Sequence, residues 1–110
     1  MVSETVTGRA DRAQTVIVTV DTAALVAVLD DVRALLALPD NDYSWSSFGD
    51  AEAALAELAG LRAGVVAGSP DVFTLRVLFA PTGPIQEVSL SSGWGHEFLA
   101  VAERFDAAIG

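Results

Sequence analysis

Proline and glycine punctuation constrains this chain more than any other feature. Pro39, Gly68-Ser69-Pro70 and Pro81-Thr82-Gly83-Pro84 divide it into short pieces, each of which has to bury an apolar face against the others. The whole is 110 residues, room for one core; a second would be too small to stand alone. There is no cysteine, so neither a disulfide nor a thiolate zinc site can brace the pieces. Packing alone has to hold them.

The apolar supply is generous. Hydrophobic residues make up 52% of the chain, many of them alanine, and the mean hydropathy is +0.46. That is more apolar surface than one small core hides, and a homodimer is the expected way to bury the excess. The charge points the other way. Fifteen acidic residues against six arginines, with no lysine, give a net charge of −9. Such a surface repels phosphate backbones and anionic bilayers, so neither nucleic acid nor membrane is expected as a partner. It favours solubility, divalent cations or a basic protein partner. Residues 1–14 are polar without the apolar stretch of a secretory signal, and no run approaches the ~18–20 apolar residues of a membrane span. The expected compartment is the cytoplasm. Arginine without lysine, amid abundant Ala, Val, Gly and Asp, is what GC-rich codons produce, and points to a high-GC bacterium.

Residues 1–13 read as a mobile leader and 14–110 as a single domain. Gln14 to Val20 alternates β-branched residues and reads as a strand. Asp21 suits the N-cap of a helix from Thr22 to Leu38, with Leu25, Leu29, Val32 and Leu36 along one stripe and Pro39 as its stop. After a polar and aromatic loop, Asp50 caps a second helix carrying Ala51, Ala54, Leu55, Leu58 and Leu61, its end weakened by Gly60 and Gly64. Asp71 to Ala80 reads as a strand, with Phe73, Leu75, Val77 and Phe79 on one face. The turn at 81–84 leads to a returning strand, Ile85 to Ser91, and Gly95 to Ile109 is the last helix. The expected fold is therefore α+β, in the order β-α-α-β-β-α. It has two layers: a three-stranded, mainly antiparallel sheet with the helices on one face. The bare face of that sheet, or a free edge strand, is the expected dimer surface.

Chemistry has little to work with. Asp40, Asp42 and Ser44 alternate like the start of an EF-hand loop, but the sixth position holds Trp45 where a glycine is needed, and the twelfth holds Ala51 where a glutamate is needed. Ser91-Ser92-Gly93-Trp94-Gly95 precedes a helix N-terminus, yet no Walker or dinucleotide fingerprint accompanies it. His96 is the one candidate general base. No serine lies in a G-x-S-x-G elbow, and His96-Glu97 does not extend to H-E-x-x-H because Ala100 fills the second histidine position. Asp30 and Asp31 are helix neighbours and cannot face one cleft as a glycosidase pair. No catalytic residue, metal site or cofactor is expected.

What stands out is aromatic. Tyr43, Trp45 and Phe48 are rigid rings among hydroxyls and carboxylates, the composition of an interaction hot spot; the competing use is as lids over the helix ends. Trp94 has the same two uses. Asp40, Asp42, Tyr43, Trp45, Phe48, Trp94 and His96 are accordingly the expected interaction residues.

The blocks Tyr43-Ser-Trp-Ser-Ser-Phe48, Leu78-Phe-Ala-Pro-Thr-Gly-Pro84 and Ser92-Gly-Trp-Gly95, with Glu97-Phe98, resemble small acidic proteins of actinobacteria whose function is unassigned. The resemblance covers the chain from Gln14 onward and transfers no site residue. The functional expectation is a non-enzymatic protein-interaction domain that self-associates. The alternatives are an immunity- or antitoxin-type protein masking a basic partner, and a small-molecule-binding domain.

Overall fold

The structure, a computed structural model, describes residues 20–110. Five helices follow one another: α1 (Thr22–Leu36), α2 (Ala51–Val66), α3 (Val72–Phe79), α4 (Pro84–Ser92) and α5 (Gly95–Ile109). Among the described residues there is no strand. The α+β expectation is thereby overturned, and with it a sheet face or edge as the dimer surface. The leader at 1–13 and the strand expected from Gln14 lie outside the described residues, save Val20, which packs non-helically against the core.

The expected helices form where their caps are. The Asp21 carboxylate accepts from the Ala24 amide at 3.1 Å, and Asp50 accepts from that of Ala53 at 2.8 Å, each satisfying a donor that the first turn leaves orphaned. α1 ends at Leu36, before Pro39. α2 runs through Gly60 and Gly64 and closes in a Schellman turn. Gly68 takes a φ of 83°, and the Ser69 amide reaches back to the Gly64 carbonyl at 2.8 Å.

The segments read as strands are helices because their ends are helix ends. Asp71 follows Pro70 as an N-cap, its carboxylate accepting from both the Thr74 amide (3.1 Å) and the Thr74 hydroxyl (2.8 Å). Pro84 sits in the first turn of α4, where its missing N–H costs nothing. Gly93 ends α4 at a φ of 87°, with the Gly93 and Trp94 amides both on the Ser89 carbonyl. On α3, the fully buried Leu75 and buried Phe79 satisfy a two-residue alternation and a helical i, i+4 spacing equally. Leu78 decides between them: it is buried, while Phe73 is 78% exposed.

α1 packs against both α2 and α5, and α5 carries α3 and α4. The Asp21 amide donates to the Ala108 carbonyl at 2.8 Å, so α1 and α5 run antiparallel. Asp30 bridges to Arg62 on α2 and Asp31 to Arg104 on α5, both at the surface, where such pairs add little. One continuous core runs from Leu25, Leu29 and Val32 through Leu58 and Ile85 to Val101 and Ile109. The Phe79 and Phe105 rings stack at 4.2 Å and lock α3 onto α5.

Candidate interaction surface

The loop after α1 is tied to α1 and α4 by side-chain hydrogen bonds. The Asn41 side-chain amide donates to the Leu35 carbonyl at 2.8 Å, and the Tyr43 hydroxyl donates to that of Leu36 at 2.7 Å. Both carbonyls belong to the last turn of α1, where the helix runs out of its own N–H donors; the Leu35 carbonyl also accepts from the Leu38 amide at 3.3 Å. Asn41 Oδ1 in turn accepts from the Trp94 indole at 2.8 Å. The Asp42 amide donates to the Ser92 hydroxyl at 2.9 Å, the Ser46 hydroxyl to the Pro84 carbonyl at 3.1 Å, and the Ser47 amide to Glu87 at 3.4 Å. The loop therefore runs along one flank of α4, antiparallel to it.

These bonds assign the expected residues different tasks. Phe48 and Trp94 belong to the core, 9% and 5% exposed. Tyr43 is half-buried, and burial of its ring pushes the phenol pKa above its ordinary value. Hydrogen bonding from the Ser44 hydroxyl, and from the Ser44 amide at 2.8 Å, holds the Asp42 carboxyl below the usual range and commits it to the turn. Asp40 is exposed. Trp45 stands 76% exposed within the turn that the Ser46 amide closes onto the Tyr43 carbonyl. His96 is exposed in the first turn of α5, in a shallow depression lined by Leu99, Ala100, Ala102, Glu103 and Asp106, with no hydroxyl or thiol beside it. Among the described residues no three of His, Cys, Asp and Glu gather as metal ligands.

The sequence reading missed a second surface. Seven large hydrophobic side chains are exposed among the described residues, and four of them, Phe73, Val77, Leu90 and Leu99, come from α3, α4 and α5. Phe73 and Val77 lie on α3 and Leu90 on α4, while Leu99 lines one open groove of about 350 Å³ between α3 and α5. Phe98 and Phe105 form its floor, Phe79, Ala80 and Pro81 one wall, Leu99 and Ala102 the other. Arg76 stands at the α3 wall and Asp106 at the α5 wall. Leu90 extends the apolar strip, its side chain lying at van der Waals distance from the Cβ position of Gly95, one turn before Leu99. A helical reading of 72–79 would have exposed this surface in the sequence, because it places Phe73 and Val77 outside.

Comparison of the chain with protein-family models, with curated proteins and with solved structures finds no match.

Proposed function

We propose that this chain is a non-enzymatic protein-interaction domain whose working surface is the α3–α4–α5 face. The observation that carries the reading is that four of the seven exposed large hydrophobics, Phe73, Val77, Leu90 and Leu99, lie on these three helices, where Leu99 lines an open groove between α3 and α5. Exposed apolar side chains scattered singly are ordinary, but several on three adjoining helices beside an open groove mark a contact surface. Trp45, on its pinned turn along the other flank of α4, adds a rigid ring that loses little freedom on binding. The depression beside His96 is lined by no hydroxyl or thiol that the imidazole could activate, which supports a binding role over serine- or cysteine-type catalysis there. The groove is open to solvent and bordered by protruding side chains, which favours a polypeptide over an enclosed small molecule.

Masking of a basic partner by acidic groups is the weaker reading. Asp21, Asp50 and Asp71 cap helices, Asp42 holds a turn, and Asp30 and Asp31 pair with arginines. Most of the aspartates are thus engaged within the fold.

A photo-crosslinking residue at Leu99 tests the proposal in source cells, with the same residue at exposed Glu57 on α2 as control. Leu99 is expected to yield covalent adducts with a polypeptide that Glu57 does not. Equal yields at the two positions would overturn the assignment of the face.

A further inference from the structure

We infer that the groove between α3 and α5 is covered by a second copy of this chain, paired so that Arg76 of each copy meets Asp106 of the other. This rests on the α3–α4–α5 face being the interaction surface, and it names the occupant. The two charges sit on opposite walls, Arg76 on α3 and Asp106 on α5. The described ion pairs, Asp30–Arg62 and Asp31–Arg104, involve neither of them. The stacked rings of Phe79 and Phe105 fix the level of the two helices. Arg76 lies three residues before Phe79 and Asp106 one residue after Phe105, so the charges differ in height by ~3 to 6 Å, within reach of an arginine. A two-fold axis along the groove places α3 of one copy over α5 of the other. The same operation brings each arginine over an aspartate, twice, on either side of an apolar centre. That is the self-complementarity an isologous dimer requires.

A basic partner would meet Arg76 unfavourably, and an acidic one Asp106. A copy of the chain satisfies both. The footprint sets the strength. α5 is about 22 Å long and three adjacent helices span about 25 Å, a projected face on the order of 500 Å². Standard stable interfaces bury about 800 Å² per partner, so the pair is a weak, concentration-dependent dimer. Salt screens the repulsion between two copies of net charge −9 while also weakening the two ion pairs. Charge sign at positions 76 and 106 therefore tests the pairing better than ionic strength does.

The test is sedimentation velocity of the full chain from about 1 µM to about 1 mM, for wild type, Arg76→Asp and Asp106→Arg. Wild type is expected to dimerise reversibly, and each single variant to dimerise at least about tenfold more weakly. Each variant has like charges on its two walls, of opposite sign in the two variants. An equimolar mixture is therefore expected to form a heterodimer about as tight as the wild-type pair, and that rescue also shows both variants folded. Wild-type affinity in either single variant, or no rescue on mixing, overturns the pairing. If the chain stays monomeric while Leu99 captures a different polypeptide, self-pairing is overturned and the interaction reading stands. If the chain stays monomeric and Leu99 captures no more than Glu57 does, both are overturned.

Discussion

At Gly83 a side chain has nowhere to go. A Cβ there would lie 2.6 Å from the Val77 carbonyl oxygen and 2.9 Å from that of Ala80, both backbone atoms that cannot swing aside. Gly83→Ala is expected to destabilise the fold by about 1–3 kcal/mol, read as a lower urea midpoint. The Asn41–Trp94 bond is a second single-residue dependence, since it ties the α1 terminus to the α4–α5 junction. Trp94→Phe keeps a buried ring but orphans Asn41 Oδ1, and should cost about 1–3 kcal/mol by the same measurement. Asp71 supplies a pH dependence. Hydrogen bonds from Thr74 hold its carboxyl below the ordinary value of 3.8. Its contribution is present in full above the unfolded pKa and is lost as pH falls through the lower folded value. The stability gap between wild type and Asp71→Ala should therefore stay constant down to about pH 4 and narrow below it. A gap unchanged to about pH 2 would count against the capping role. Asp21 and Asp50 were legible as caps because apolar stripes of helical period follow them. Asp71 was not, because the residues after it alternate.

The elements show why that alternation misled. α1, α2 and α5 are long enough for a 3.6-residue stripe to repeat, and the sequence places them within a few residues of where they lie. α3 has eight residues and α4 nine, barely two turns, over which two-residue and helical periods share positions. β-branched and aromatic content then tilted the reading toward strand, while the capping aspartate, the first-turn proline and the left-handed glycine settled the outcome. One pair of substitutions separates the two readings experimentally. On a strand Phe73 and Leu75 share a face and respond alike. On α3, Phe73→Asp should change stability by less than about 0.5 kcal/mol, whereas Leu75→Asp places a charge in the core and should cost more than about 4 kcal/mol. Thermal melts of the two variants read the difference.

Across the whole molecule, the acidic composition and the apolar excess have separate destinations. Six of the eight aspartates in residues 20–110 serve caps, a turn or ion pairs, so much of the acidity is part of the scaffold. Four of the seven exposed large hydrophobics in residues 20–110 lie on α3, α4 and α5, and no residue count could have placed them there. Nor could the sequence divide the aromatic rings between core and surface. For Trp94 that division depends on Asn41, which reads as one more loop residue. It also gives the protein two optical reporters of opposite kind. The Trp94 indole emits from a sheltered, hydrogen-bonded site, while Trp45 emits from water. Acrylamide should quench only the red-shifted share of the fluorescence, and Trp45→Phe should abolish that share. The blue-shifted share that remains then follows unfolding alone, so docking at the Trp45 turn and loss of the fold can be followed separately in one cuvette.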